Sequence, residues 1–161
     1  MAKITWDNAI KNALEILQNK DNYAYFMGAK GQVLTDDLME YLWSYYTTYF
    51  SKYNATQKKQ IFNYSRGKIG FDCSGFVGKC IGDMSPSWEL INHSTIMTTP
   101  VKGVAGSVLY KTGHVGLDIG YGFFLHFPVE MQSCTLGRIR EYNWQTSGQN
   151  KYINYDGADS R

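Results

Sequence analysis

The spacing of hydrophobic residues changes along the chain, from a helical period in the N-terminal half to a strand period in the C-terminal part. Residues 5–19 carry apolar side chains at intervals of three and four positions, which predicts an amphipathic helix. Further helices are predicted to begin near Thr35, near Thr56 and at Cys73. The Thr56 helix is expected to end near Gly67, because glycine readily takes the left-handed conformation that ends helices.

Short strands are predicted after residue 105, where apolar and polar positions alternate between glycines. They are 106–110, 114–119, 123–127, about 131–140 and 151–155. Helices followed by an antiparallel sheet predict an α+β fold, with the Cys73 helix packed on the sheet. We expect one domain over 1–161. Its helical part covers about 1–95 and includes an aromatic-rich insertion at about 30–66, and its sheet part covers about 105–155.

Composition narrows the class of protein. The 161 residues are 43% hydrophobic and 19% charged, as in ordinary globular proteins, and a net charge of +2 is too small to indicate a nucleic-acid partner. No segment is long and apolar enough to predict a membrane span. The three cysteines, Cys73, Cys80 and Cys134, are an odd number and lack zinc-site spacing, so neither a disulfide framework nor a metal site is expected.

The strongest chemical signal is a cysteine at the predicted start of a helix. Cys73 lies in the sequence Phe-Asp-Cys-Ser-Gly-Phe, and the apolar residues that follow indicate a buried helix. The partial positive charge at a helix N-terminus favours the thiolate, which is the reactive form of cysteine. Cys73 is therefore a candidate nucleophile, whereas Cys80 and Cys134 are expected to be structural.

Two histidines downstream supply a candidate base and its partner. His114 begins the strand pattern His-Val-Gly-Leu-Asp-Ile, and His126 lies on the next predicted strand of the same hairpin. Hairpin pairing brings the two imidazoles together. We therefore expect His114 to act as the base for Cys73 and His126 to orient it. The alternative is a buried structural cysteine with two ordinary strand histidines. His93 lacks this context and is expected to be a surface residue.

These three segments resemble the signature segments of the NlpC family of papain-like cell-wall endopeptidases. They are Asp72 to Phe76, Gly113 to Gly116, and His126. The resemblance implies the papain-like α+β fold, with Cys73 as nucleophile, His114 as base and His126 as its orienting residue. It also implies that a tyrosine ahead of a glycine assists the oxyanion site, which Tyr25 before Gly28 matches.

The resemblance gives the residues that flank the nucleophile a role in binding the substrate. Asp72 and Ser74 are candidates to contact the peptide stem, and an ionised Asp72 would suit a free alanine amine. The alternative is that both cap the Cys73 helix locally. The aromatic insertion could likewise wall the cleft, or its rings could fill a core.

The function implied is peptidoglycan hydrolysis by a cysteine endopeptidase, at the γ-D-glutamyl–diamino acid bond of the stem peptide. Hydrolysis by a cysteine nucleophile requires no cofactor. Alternatives on the same fold are an N-acetylmuramoyl-L-alanine amidase and an acyltransferase, and a non-catalytic wall-binding module is an alternative of another class.

The N-terminus lacks the apolar run of a signal peptide. Synthesis in the cytoplasm is therefore expected, with the wall reached by release, injection or lysis, as for a phage lysin or a delivered enzyme. The oligomeric state is not predicted.

Overall fold

The computed structural model describes residues 3–100 and 103–158, apart from the side chains of Ile96 and Met97. Its α-helices are α1 (Trp6–Gln18), α2 (Asp36–Tyr45), α3 (Thr47–Phe50), α4 (Ala55–Ser65), α5 (Cys73–Ile81) and α6 (Ser87–Asn92). Short 3-10 helices cover Lys20–Asn22 and Ile139–Glu141. Within the described residues, no helix is both long enough and apolar enough to span a bilayer.

The strands of the described residues form three sheets. They are β1 (Ile4–Thr5), β2 (Tyr23–Tyr25), β3 (Lys30–Val33), β4 (Ile69–Phe71), β5 (Ser94–Thr98), β6 (Val108–Lys111), β7 (His114–Gly120), β8 (Phe123–His126), β9 (Thr135–Arg138), β10 (Thr146–Asn150) and β11 (Ile153–Asn154). The main sheet is antiparallel with the order β5-β10-β6-β7-β8-β9. A small sheet has the order β2-β4-β3, and β1 pairs with β11.

Helix α5 carries the cysteine and packs against β7 at the centre of the main sheet. It begins at an N-cap, Asp72, whose carboxylate accepts a hydrogen bond from the Gly75 N–H at 2.7 Å. It ends at Gly82, whose φ of 78° is the left-handed conformation expected of a helix C-terminus. All α5 residues except Lys79 are buried. The α+β fold, with a cysteine-bearing helix on an antiparallel sheet, is therefore confirmed.

The helices of the aromatic-rich segment pack around a core of their own. Phe26, Phe50 and Phe62 lie at its centre, and Trp43 stacks on Phe50 with ring centroids 4.1 Å apart. Most of these rings therefore fill a core. Tyr41 and Tyr45 are the exceptions, since 61% and 68% of their surfaces are exposed.

Strands also occur in the N-terminal half, within the part over about 1–95 for which only helices were predicted. β2, β3 and β4 contain only three or four residues each, too few for an alternating pattern to be recognised. The predicted strand 151–155 is reduced to the two residues of β11. The sequence analysis also missed β10, whose Thr-Ser-Gly-Gln-Asn sequence lacks the apolar residues typical of strands.

Candidate active site

The thiol of Cys73 lies at the start of α5, where the helix meets β7. The residue is 9% exposed, and the cysteine is free. The backbone N–H groups of Val115 and Ser74 are close enough to stabilise the charged sulfur. Because Val115 directly follows His114, the sulfur lies beside the first residues of β7.

The two predicted imidazoles meet across the β7–β8 hairpin. Leu117 pairs with Leu125, so continuation of the antiparallel register brings His126 opposite Gly116, two residues from His114 on the same face. His114 Nε2 and His126 Nδ1 are 2.8 Å apart, which is a hydrogen bond. The predicted proximity of these two side chains across the hairpin is therefore confirmed.

This hydrogen bond constrains the tautomers of the pair. If His114 donates from Nε2, its Nδ1 carries a lone pair and can accept a proton from another group. His126 then accepts at Nδ1 and carries its own proton on Nε2. The hydrogen bond thus holds the two imidazoles in a fixed relative orientation.

Two aromatic residues enclose the imidazole pair, and the sequence analysis did not identify them. The rings of Trp144 and His114 are nearly parallel, at 8°, with centroids 5.4 Å apart. Tyr142 contacts His126 edge-to-face at 5.3 Å. A Cβ atom at Gly116 would meet the Trp144 ring at 2.9 Å, so the second glycine of Gly-His-Val-Gly makes room for this stacking. In the sequence, only the closely spaced aromatic residues Tyr142 and Trp144 could have indicated that rings cover the imidazoles.

Burial dominates the electrostatics of the cysteine and both histidines. It raises the pKa of the Cys73 thiol to about 11, and the Asp72 carboxylate acts in the same direction. It lowers the pKa of His114 to about 3, with further contributions from His126 and Lys111, and that of His126 to about 4. Thiol and imidazoles are therefore neutral at neutral pH in the free protein. The thiolate expected from the helix terminus alone is not the resting form.

Asp72 and Ser74, the predicted substrate contacts, have partners within the chain. The ammonium of Lys30 lies 2.8 Å and 3.0 Å from the two Asp72 carboxylate oxygens and 2.8 Å from Ser74 Oγ. Asp72 also accepts hydrogen bonds from the N–H groups of Gly28 and Gly75. Capping of α5 by Asp72 is therefore present in the structure. Lys30 was not identified from the sequence, because no motif marks it.

Tyr25 does reach the neighbourhood of Cys73. It is 4% exposed and belongs to the same apolar cluster as the cysteine. Burial raises its pKa, and the nearby Tyr49, Cys73 and Glu130 act in the same direction. The hydroxyl of Tyr49 lies next to that of Tyr25 and donates to Glu130 Oε1 at 2.8 Å. The long separation in sequence between Gly28 and Asp72 is thus closed by the β2–β4 pairing.

The remaining candidates lie away from this centre. His93 Nδ1 is bonded to Asp83 at 2.7 Å, so it is a partly buried structural residue rather than a free surface residue. Cys80 and Cys134 are buried, and burial raises the pKa of both thiols.

No group of three potential metal ligands occurs among the described residues. A cavity of about 690 Å³ at the far end of β7, bordered by Asp118, includes none of the predicted catalytic residues.

A helix that begins with a cysteine and packs on an antiparallel sheet beside a histidine defines the papain-like class of fold. Solved structures make the class more specific. The NlpC/p60 domain of the peptidoglycan hydrolase SagA superposes with a TM-score of 0.56 at 14% identity, over 91% of this chain and 99% of that domain. The peptidoglycan hydrolase RipB from Mycobacterium tuberculosis also gives 0.56, at 16% identity, over 93% of this chain and 67% of RipB.

NlpC1 from Trichomonas vaginalis is similar as well, with a TM-score of 0.54 at 13% identity over 89% of this chain and 44% of that protein. No family model matches the sequence, and no curated protein matches it. The chain therefore has the NlpC/p60 fold. At 13–16% sequence identity, the similarity concerns the fold. The family resemblance predicted from three short motifs is confirmed at the level of the fold.

Proposed function

We propose that this protein is a cysteine endopeptidase that hydrolyses the stem peptide of peptidoglycan at the γ-D-glutamyl–diamino acid bond. The observation that carries the proposal is the arrangement of Cys73, His114 and His126. The thiol lies at the start of α5 beside the first residues of β7, the strand that begins with His114, and the His114 imidazole is hydrogen-bonded to that of His126 at 2.8 Å. Two proteins of similar structure, SagA and RipB, are peptidoglycan hydrolases, which supports the choice of substrate.

The neutral thiol and imidazole dictate the order of proton transfer. As Cys73 Sγ bonds to the carbonyl carbon, the thiol proton passes to His114 Nδ1, so charge separates only while substrate is bound. The C–N bond of the tetrahedral intermediate then breaks, and His114 returns the proton to the leaving amine. A thioester with Cys73 remains.

Water completes the cycle with the same groups. His114 removes a proton from the water as its oxygen bonds to the thioester carbon, and the C–S bond then breaks. The sulfur leaves with its electron pair and recovers the proton from His114. His126 stabilises the imidazolium at both stages through its Nδ1 lone pair, and Tyr25 is proposed to support the oxyanion from the side of β2.

The proposal is tested by digesting purified peptidoglycan and analysing the products by mass spectrometry. We expect L-alanyl-D-glutamate to stay on muramic acid and fragments with a new diamino acid N-terminus to be released. Cys73→Ala and His114→Ala should each reduce the rate by at least about a thousandfold. Cys134→Ala removes a buried thiol outside the proposed site and should retain activity, as a matched control.

Other products would favour other functions. Bare glycan strands with intact stem peptides that begin at L-alanine would indicate the amidase and contradict the endopeptidase. Transfer of the acyl group to an added amine, without hydrolysis, would indicate an acyltransferase. Full activity of Cys73→Ala would exclude the mechanism.

A further inference from the structure

Lys30 places an ammonium group between the two polar residues that flank the nucleophile. Its Nζ contacts three acceptors at 2.8, 3.0 and 2.8 Å: both carboxylate oxygens of Asp72 and the hydroxyl of Ser74. An ammonium has three hydrogens to donate, so these contacts use its full capacity. The Lys30 ammonium is thus held as a primary amine whose three hydrogens all have acceptors.

The site around this ammonium is built from buried groups. Asp72 and Ser74 are 7% and 5% exposed, and the hydroxyl of Ser74 donates to Asp72 Oδ1 while it accepts from Lys30. The backbone N–H groups of Gly28 and Gly75 donate to the same carboxylate. Charge-assisted hydrogen bonds of this kind are among the strongest in proteins.

The backbone directs the lysine into this position. Lys30 on β3 pairs with Phe71 on β4, so its side chain begins next to the residue that precedes Asp72. A Cβ atom at Gly75 would lie 3.2 Å from Lys30 Cδ and 2.9 Å from the Asp72 carboxylate. Glycine in the first turn of α5 therefore leaves the space through which the lysine reaches the carboxylate.

We propose that Lys30 is a specificity-determining residue, whose ammonium occupies the position between Asp72 and Ser74 that a substrate amine would take. The protein then acts on stem peptides whose first nitrogen is acylated, as it is where the stem is attached to muramic acid. It gains nothing from a free alanine amine, because the group that would bind that amine is already neutralised. This inference rests on the proposed endopeptidase function.

Two synthetic peptides separate the possibilities. They share the sequence L-alanyl-γ-D-glutamyl-diamino acid and differ only in a free or an acetylated N-terminus. We expect the unaltered protein to cleave the acetylated peptide at least as efficiently as the free one. Lys30→Ala should shift the ratio of kcat/KM values by about tenfold or more towards the free peptide, because Asp72 then lacks a cation.

The control is Lys79→Ala, which removes an exposed lysine from the same helix as Cys73 and should leave the ratio unchanged. A strong preference of the unaltered protein for the free peptide would overturn the inference. So would an unchanged ratio in Lys30→Ala.

A second measurement does not depend on the proposed activity. In Lys30→Ala, n-butylammonium should restore thermal stability in a saturable manner, whereas tetramethylammonium, which has no N–H to donate, should not. The unaltered protein should respond to neither. Specific rescue with neither peptide cleaved would support the amine position and reject the endopeptidase function. Absence of rescue, with cleavage of both peptides at an unchanged ratio, would reject the role of Lys30 and keep the endopeptidase.

Discussion

Two opposing effects act on the Cys73 sulfur. The helix terminus favours the thiolate by about 0.3–1 kcal/mol in typical cases. Burial raises the thiol pKa from 9.0 to about 11, which corresponds to about 3 kcal/mol in favour of the neutral form. Burial therefore prevails in the free protein, and the sequence, which reveals the helix start but not the depth of burial, led to the opposite expectation.

Alkylation of the three cysteines tests this balance. We expect iodoacetamide to label Cys73 before Cys80 and Cys134, because Cys73 is the most exposed of the three. Its labelling rate should rise by about tenfold per pH unit from neutral pH towards the raised pKa. Peptide mapping by mass spectrometry gives the rates, and unfolded protein, in which all three react alike, is the control. A rate that is already constant below pH 7 would show a preformed thiolate.

The imidazole pair links stability to pH. Folding lowers the pKa of His114 and His126 from 6.5 to about 3 and about 4, so the unfolded chain takes up protons first as the solution is acidified. The stability that the neutral imidazoles contribute is complete above pH 6.5 and is lost as the pH falls towards the folded values. Each imidazole adds a slope of about 1.4 kcal/mol per pH unit in this window.

His126→Gln should remove one of these contributions. Between about pH 6 and 4.5, its free energy of unfolding should fall less steeply than that of the unaltered protein, by about 1.4 kcal/mol per pH unit. Denaturant titrations at several pH values measure both slopes. His93→Gln is a useful comparison, because His93 is paired with Asp83 outside the proposed site. Equal slopes for His126→Gln and the unaltered protein would show that His126 is accessible to protons when folded.

At the scale of elements, the loop between β8 and β9 connects the main sheet to the aromatic helices. Glu130 in this loop is 5% exposed and accepts hydrogen bonds from the hydroxyls of Tyr49 and Tyr53 and from the N–H of Met27. Because Tyr49 lies against Tyr25, the loop also helps to hold Tyr25 beside Cys73. These contacts give Glu130 a structural role.

Substitution of Glu130 should therefore lower the free energy of unfolding. Glu130→Leu leaves two tyrosine hydroxyls without their acceptor and should lower the free energy of unfolding by about 3 kcal/mol. Glu130→Gln keeps an acceptor oxygen and should cost about half as much. Chemical denaturation measures both, with Glu15→Gln on the exposed side of α1 as the control. A loss below about 0.5 kcal/mol for Glu130→Leu would contradict a stabilising role for this loop.

The elements that the sequence predicted well are those with long periodic patterns or clear caps. Thr35 caps α2 through the Leu38 N–H, and Asn54 and Gln57 form a capping box at the start of α4. The end of α2 had no such signal: the helix stops at Tyr45, and a separate helix, α3, begins at Thr47. Pairings such as Tyr23 with Ile69 depend on contacts between distant residues, and no local pattern reveals them.

At the scale of the whole molecule, the proposed site lies where the elements of both halves meet. The N-terminal half supplies Cys73, Tyr25 and Lys30, and the main sheet supplies His114 and His126. Motifs identified the residues proposed to carry the chemistry, because a nucleophile and its base have distinctive neighbours in sequence. Residues that tune the site, such as Lys30 and Trp144, act through three-dimensional contacts and required the structure.

The pairing of β1 with β11 has a consequence for how this protein folds. Ile4 pairs with Ile153, and Trp6 donates to the Asp156 carbonyl across 150 positions of the chain. Closing a loop of that length from an unfolded chain costs about 4 kcal/mol of conformational entropy, more than two paired residues recover. This contact should therefore form late, after the main sheet has brought both segments together. During synthesis, α1 would remain without that support until Ile153 has left the ribosome.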